Sequence, residues 1–136
     1  MVCIYCGNET QVINSRLQRR QNQVWRRRKC LSCGATFTTH ELASYEGSWR
    51  VKTESGKLIP FNKNKLFLSL YKSLEHRKTA MEDASALTET TLGKLQSSTQ
   101  DGLVVATDII KTAQTILKHF DTAASVHYAA FHPTKN

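Results

Sequence analysis

The pattern of apolar and polar positions changes character about a third of the way along the chain. Residues 1–43 are rich in Cys, Arg, Gln and Thr and poor in large aliphatic side chains. A domain of that size cannot bury enough apolar surface to fold alone, so we expect it to need a cross-link such as a bound metal ion or disulfides. Beyond it, the sequence predicts two short strands, Trp49–Thr53 and Lys57–Phe61, joined by a turn through Ser55–Gly56.

Helical spacing of apolar residues follows these strands. Asn62 is a suitable N-cap for a helix that buries Leu66, Leu70 and Leu74. The three leucines recur at every fourth position, which places them on one side of an α-helix.

A capping box predicts the next helix. Thr79 is followed three residues later by Glu82, so a second helix should run from about Ala80 towards Gln96. The polar stretch Ser97–Gly102 is typical of a loop.

Two more helices complete the predicted elements. Thr107 is expected to cap a third helix, whose buried face consists of five residues: Ile110, Ala113, Ile116, Leu117 and Phe120. A last short helix should run from Asp121 to about Phe131 and end before Pro133.

The composition is that of a folded protein, with 40% apolar and 22% charged residues. No apolar run approaches the ~20 residues that are needed to cross a bilayer. Met1 to Gly7 lack the charged-then-apolar layout of a secretory signal. We therefore expect a cytoplasmic protein, in which thiols stay reduced and structural disulfides are rare.

The four cysteines form two C-x2-C pairs, Cys3/Cys6 and Cys30/Cys33, and a glycine follows each pair. Two residues between thiolates allow one tight turn to direct both sulfurs at one ion. Two such pairs predict a closed, structural Zn2+ site with no position left for water. The alternative is disulfides or idle thiols, while a redox motif lacks its βαβ surroundings. The five histidines show no ligand or triad spacing, so we do not expect an enzyme.

The formal net charge of +8 is concentrated beside these cysteines. Between Thr10 and His40 there is no Asp or Glu, but there are seven basic residues: Arg16, Arg19, Arg20, Arg26, Arg27, Arg28 and Lys29. A solvated surface is the ordinary meaning of a charge run, yet clustering at a metal site favours a polyanionic partner. Arginine suits phosphate and guanine because its guanidinium donates two parallel hydrogen bonds.

Four short motifs occur in order over the first 41 residues. They are Met-Val-Cys-Ile-Tyr-Cys at 1–6, Val-Ile-Asn-Ser-Arg at 12–16, Arg-Arg-Arg-Lys-Cys at 26–30 and Thr-Phe-Thr-Thr-His-Glu at 36–41. With these motifs the segment resembles the NrdR family, the bacterial transcriptional repressors of ribonucleotide reductase genes. The resemblance implies a zinc ribbon that binds double-stranded DNA.

DNA contacts are expected from Arg16, Arg26, Arg27, Arg28 and Lys29. The three consecutive arginines alternate sides if they lie on a strand, so one or two face the groove while the others meet phosphate. One ribbon is too small for high specificity, so we expect homo-oligomers on paired sites.

The rest of the chain is similar to the ATP-cone, the nucleotide-sensing module that this family shares with ribonucleotide reductase. The resemblance implies regulation by ATP or dATP and makes Val51, Lys52, Asn62 and Lys65 the candidate nucleotide-binding residues. An amide and an ammonium group at a helix N-terminus would form an anion site.

The cone departs from its family at several positions. The family's Lys-Arg pair, which contacts the triphosphate, is replaced by Thr53 and Glu54, and a glutamate repels phosphate. In the last helix, Ser125 and His127 stand where the family has an aromatic residue and an arginine.

The sequence thus predicts an α+β protein: a small N-terminal β zinc ribbon, then a mostly helical ATP-cone-like domain with a short β-hairpin. The expected domains are a DNA-binding ribbon at 1–43, a regulatory and oligomerisation domain at 48–132 and a tail at 133–136. The leading function is a zinc-dependent repressor of ribonucleotide reductase genes that responds to ATP and dATP. The alternatives are a degenerate cone that serves only oligomerisation, and a ribbon that docks on RNA polymerase or RNA.

Overall fold

The computed structural model describes residues 1–134 and divides into two compact units. The ribbon unit comprises Met1–Ser44, and the helical unit begins at Tyr45. The architecture is α+β as predicted, with a three-stranded sheet first and a mostly helical unit after it. Lys135 and Asn136, in the predicted tail, lie outside the described residues. Within those residues, no helix is long and apolar enough to cross a membrane.

The ribbon unit is an antiparallel sheet of β1 (Thr10–Gln18), β2 (Gln23–Cys30) and β3 (Thr36–Leu42), with β2 in the centre. A 3-10 turn joins β1 to β2 and closes with Asn22 at a φ of 48°, a left-handed conformation that asparagine tolerates. The register shifts between Val12 and Asn14, which indicates a β-bulge.

The helical unit contains three short strands and five helices within its described residues. In chain order they are α1 (Tyr45–Ser48), β4 (Arg50–Lys52), β5 (Leu58–Pro60), α2 (Lys63–Leu74), α3 (Ala80–Ser98), β6 (Leu103–Val105), α4 (Ala106–Phe120) and α5 (Thr122–Phe131). The predicted hairpin is present as β4 and β5, each shorter than expected. The sequence did not predict α1 or β6.

The strand β6 turns the hairpin into a three-stranded sheet. It pairs in parallel with β4, which also pairs antiparallel with β5. Sequence patterns do not reveal β6, because it has only three residues and only Val104 among them is buried. Gly102, at a φ of 71°, precedes this strand, and a Cβ there would lie 2.6 Å from the carbonyl oxygen of Ser48. A glycine is therefore required at this position.

The helices of this unit enclose its apolar core. The predicted α2 face is confirmed, since Leu66, Leu70 and Leu74 are all buried. The predicted α4 face is correct at Ala113, Ile116 and Leu117, which are buried, while Ile110 is only half-buried.

Phe120 was predicted to be buried, and this prediction is wrong. Its side chain is 41% exposed, and the guanidinium of Arg77 lies 4.7 Å from its ring centroid. The ring is covered by a cation instead of by the core, an arrangement that cation–π attraction favours.

Two of the predicted caps are wrong. Thr79 precedes α3 as expected but makes no capping bond; its hydroxyl donates instead to the Asp83 carboxylate at 2.7 Å. Thr107 lies inside α4, which begins one residue earlier, at Ala106, directly after β6. The helix α3 also extends to Ser98, into the stretch predicted as loop.

The N-cap side chains of α2 and α5 each accept a hydrogen bond from one backbone amide. Asn62 Oδ1 accepts a hydrogen bond from the Lys65 amide at 3.0 Å, as predicted. Asp121 Oδ1 accepts one from the Ala124 amide, also at 3.0 Å. Asparagine and aspartate are favoured at this position because their side chains satisfy amides that lack a helical partner.

The Asp121 carboxylate also connects the start of α5 to the segment between α2 and α3. Its Oδ2 accepts hydrogen bonds from His76 Nε2 at 3.0 Å and from Arg77 Nη1 at 3.1 Å, and Arg77 Nε donates to Asp83 at 2.8 Å. The Ala124 amide, then His76 and Arg77, stabilise the charged form and lower the pKa of Asp121 to about 2.

We predict that this carboxylate makes the helical unit sensitive to acid. Because the folded pKa of about 2 lies below the unfolded value of 3.8, its stabilisation is present above about pH 4 and is lost as the pH falls towards 2. Asp121→Asn should lower the free energy of unfolding by about 2 kcal/mol at pH 7 and by much less at pH 2.5. Urea unfolding followed by circular dichroism measures both values.

Asp101→Asn is the matched control. Asp101 is exposed and has a φ of 53°, which asparagine tolerates equally well. The Asp101→Asn substitution removes the same charge but should change the free energy of unfolding little at either pH. An equal loss in both variants would show that net charge, rather than the Asp121 contacts, is responsible.

Candidate metal centre and nucleic-acid interface

The two C-x2-C pairs bring four sulfur atoms together at one end of the ribbon unit. The ligand atoms of Cys3, Cys6, Cys30 and Cys33 all lie within 4.8 Å of one another, and all four cysteines are free thiols. Cys30 is the last residue of β2 and Cys3 precedes β1. The sheet and the N-terminal segment therefore each supply one pair.

The spacing of the sulfurs fits a tetrahedral zinc ion. Zn–S bonds of about 2.3 Å place the sulfurs of a tetrahedron about 3.8 Å apart. The sulfurs of Cys3 and Cys33 are separated by 3.8 Å, and those of Cys6 and Cys30 by 3.5 Å. Four thiolates fill the coordination shell, so the site would hold a structural ion and leave no position for a reacting water.

Backbone amides surround these sulfurs. The Tyr5 amide donates to Cys3 Sγ at 3.4 Å, and the Ser32 and Cys33 amides donate to Cys30 Sγ at the same distance. The turns are possible because Gly7 and Gly34 adopt φ values of 74° and 73°.

At Cys6 and Cys30 these donors favour the thiolate form that zinc requires, whereas the neighbouring thiols Cys6 and Cys30 raise the pKa of Cys33 to about 12. Hydrogen bonds from the backbone N–H of Asn8 and from the Cys30 thiol lower the pKa of Cys6 to about 6. The pKa of Cys30 is lowered as well, chiefly by the backbone amide of Cys33. Stabilised thiolates are the form of cysteine that binds metal ions.

The candidate DNA-binding residues occupy both sides of the ribbon sheet. Because side chains alternate along β2, Arg27 and Lys29 lie on one side, which we call the Arg27 face, and Arg26 and Arg28 lie on the other, the Arg26 face. Cross-strand pairing with Trp25 places Arg16 on the Arg27 face. The structure therefore does not bring the five predicted residues to one surface.

The two faces have different partners for their arginines. On the Arg26 face, Arg26 forms an ion pair with Glu41 at 2.9 Å, and Arg28 donates to the hydroxyls of Thr39 and Thr10. On the Arg27 face, Arg27 donates to the hydroxyls of Thr36 and Thr38 at 2.8 and 3.1 Å.

His40 is an additional residue of the Arg27 face, because it pairs with Trp25. It is exposed, as are Arg16 and Lys29 on the same face. It is not among the DNA-binding residues predicted from the sequence. In a strand, His40 shares one face with Thr36 and Thr38 because the three residues are two apart. That this is the face of Arg27 can be recognised only once the strand register is known.

Three of the four candidate nucleotide-binding residues line one cavity of about 220 Å³ in the helical unit. These are Val51, Asn62 and Lys65. Lys52 is not among its lining residues: it is exposed beside the buried Val51 on β4. Two further lining residues, Tyr128 in α5 and His132 at its C-terminal end, were not predicted from the sequence.

A second cavity of about 340 Å³ shares Lys65, Ser69 and His132 with the first. Lys72 and His127 also line it. Neither cavity has an acidic residue in its lining. The described lining residues of the two cavities thus offer lysine ammonium and serine hydroxyl groups to a ligand, and none of them is a carboxylate.

Four clustered thiols on paired turns, attached to a three-stranded basic sheet, define the class of zinc-ribbon proteins. Residues 1–41 match the family model described as the N-terminal domain of NrdR-like transcriptional repressors.

Two full-length comparisons extend the match beyond the ribbon. The chain is 35% identical over 130 residues to the transcriptional repressor NrdR of Symbiobacterium thermophilum, covering 96% of this chain and 85% of that protein. It is 32% identical over 142 residues to the transcriptional repressor NrdR of Methylacidiphilum infernorum, covering 100% of this chain and 84% of that one. The chain belongs to the NrdR family of transcriptional repressors, which are not enzymes.

We predict that removing zinc unfolds the ribbon unit and spares the helical unit. Structural zinc contributes about 10 kcal/mol or more to small zinc domains, whereas the helical unit has an apolar core of its own. A strong chelator should abolish hydrogen-exchange protection in β1–β3 and leave that of α2–α5. Metal analysis of the untreated protein should give one zinc per chain.

Cys33→Ser and Ser32→Ala form a matched pair for this test. The first removes a ligand and should lose zinc, whereas the second changes the adjacent residue, whose side chain supplies no thiolate. Retention of stoichiometric zinc and a protected sheet in Cys33→Ser would contradict a four-thiolate site.

Proposed function

We propose that this chain is a zinc-dependent repressor of ribonucleotide reductase genes that binds double-stranded DNA through its ribbon and responds to ATP and dATP through its helical unit. The observation that carries the proposal is a basic sheet anchored to a four-sulfur site in a chain of the NrdR family. The domain assignment, with a DNA-binding ribbon at 1–43 and a regulatory cone at 48–132, is part of this proposal. A cytoplasmic location is also part of this proposal.

The charge of the ribbon supports DNA as the partner. Five basic residues, Arg16, Arg26, Arg27, Arg28 and Lys29, lie on two adjacent strands. Those among them that contact phosphates neutralise charge and release counterions, which makes binding strong at low salt and weak at high salt. The major groove, where base edges differ, admits two adjacent β-strands.

The cavities of the helical unit support a nucleotide effector. Lys65 lies in the first turn of α2, next to the amides that a phosphate group would meet at a helix N-terminus. Lys63, in the same turn, is paired with Glu89, so its charge is already matched. Lys65 is therefore the lysine of this turn that we assign to the phosphates.

A second candidate function rests on the altered hairpin. The Thr53 hydroxyl accepts a hydrogen bond from the Lys57 amide and so closes the β4–β5 turn. At a position where the resemblance to the family implies a basic residue, this chain therefore has a residue with a structural role. Glu54 adds a negative charge nearby, and Lys52 is outside the cavity. These features favour a cone that assembles homo-oligomers without sensing nucleotide.

We predict selective binding to a ribonucleotide reductase promoter that changes with nucleotide. Zinc-loaded protein would be titrated onto the promoter duplex and onto a scrambled duplex at fixed salt, without nucleotide, with ATP, and with ATP plus dATP. Selective binding that ignores nucleotide would support the oligomerisation-only cone. Equal binding to both duplexes would contradict an operator-specific repressor and direct attention to RNA polymerase or RNA.

Lys65→Ala and Lys52→Ala test the proposed nucleotide site with the same loss of charge. Lys65→Ala should weaken dATP binding by about tenfold, because a hydrogen bond to a charged group contributes about 1.5 kcal/mol or more. Lys52→Ala should change it by less than about twofold, since this residue lies outside the cavity. Calorimetric titration with dATP measures both, and a larger effect of Lys52→Ala would show that the nucleotide binds elsewhere.

A further inference from the structure

The two faces of the ribbon sheet differ in net charge. On β1–β3 the Arg27 face carries three permanent cations, Arg16, Arg27 and Lys29, and no carboxylate. The Arg26 face carries Arg26, Arg28 and Glu41, so one of its two cations is neutralised. Duplex DNA is attracted more strongly to the face without an acid, because a carboxylate near phosphates is repelled.

The two faces also differ in what they pack against. The Arg26 face includes Cys30 and Phe37, two of the three buried residues in the ribbon's own core cluster. Arg28 is half-buried there between Thr10 and Thr39. This side of the sheet serves the metal centre and the small core, whereas the Arg27 face has no buried residue and exposes Arg16 and Lys29.

Arg27 is oriented for binding by its neighbours. Its two terminal nitrogens each donate one hydrogen bond, to the hydroxyls of Thr38 and Thr36. A guanidinium has five N–H groups, so donors remain for a phosphate or for a guanine edge. A side chain that is already oriented loses less conformational entropy on binding.

Two further side chains extend this surface across the strands. Arg16 lies 5.9 Å from the ring centroid of Trp25, a cation–π arrangement that holds its guanidinium over the sheet. His40 lies across β3 from the same Trp25 and is exposed. An imidazole can donate a hydrogen bond to phosphate or to a base edge in either protonation state.

We propose that the Arg27 face alone contacts duplex DNA, with Arg27 as its central contact and His40 as an additional one. Arg26 and Arg28 then act within the ribbon, through Glu41 and the threonine hydroxyls. This inference rests on the proposed DNA binding and divides the five candidate residues into contacting and structural ones.

Arg27→Gln and Arg26→Gln provide the test, since they remove the same charge from adjacent positions on one strand. Zinc-loaded full-length protein would be titrated onto the promoter duplex across a range of salt concentrations. Arg27→Gln should weaken binding by about tenfold or more and lower the salt dependence by about one power of salt concentration. Arg26→Gln should stay within about twofold of the wild type in affinity and keep its salt dependence.

His40→Ala and Thr39→Ala form a second pair, one on each face. His40→Ala should weaken binding several-fold, and Thr39→Ala should not. Zinc content would be measured for every variant. If Arg27→Gln loses zinc, Lys29→Gln takes its place, because Lys29 is exposed on the same face.

The outcomes separate this inference from the function on which it rests. Failure of the wild type to bind duplex DNA at low salt would overturn the DNA-binding function and the face assignment together. Wild-type binding that Arg26→Gln weakens as much as Arg27→Gln would overturn the face assignment alone. Loss confined to the Arg27 face would establish both.

Discussion

The four-sulfur cluster is the constraint on which the ribbon unit depends. Its core cluster consists of Cys3, Cys30 and Phe37, so two of its three buried members are themselves metal ligands. Most other side chains of β1–β3 are exposed or half-buried. Three strands with so little apolar burial do not fold on the hydrophobic effect alone, and the metal supplies what the core lacks.

The same cluster sets which arginines face outward. Cys30 is both a ligand and the last residue of β2, so its sulfur must point towards the other three. Alternation along the strand then fixes every earlier side chain: Arg28 and Arg26 share the side of Cys30, and Arg27 takes the opposite one. Inserting or deleting one residue between the arginine run and Cys30 would exchange the faces on which the arginines lie. The position of the basic run relative to the cysteine is therefore as informative as its charge.

Sequence patterns predicted the features that depend on local chemistry. Cysteine spacing and the Asn62 cap act within a few residues, so their geometry follows from the residue types. One miss depends on a competing local contact and two depend on tertiary contacts. Thr79 donates to the carboxylate of Asp83, four residues further on, instead of capping α3, whereas Phe120 is covered by the guanidinium of Arg77. The strand β6 exists because β4 offers a free edge, which three residues of sequence cannot reveal.

The lysines that line the two neighbouring cavities of the helical unit lie on α2 and not on the β4–β5 turn. The β4–β5 turn holds Thr53 and Glu54, whereas the lysines at the cavities, Lys65 and Lys72, come from α2, and His127 of α5 lines one of the cavities with them. His127 also hydrogen-bonds Ser73 on α2. Any anion in these cavities would therefore meet its cations on packed helices rather than on a turn. Under the proposed function, nucleotide sensing would then depend on how α2 and α5 pack, and the β4–β5 turn would be free to diverge.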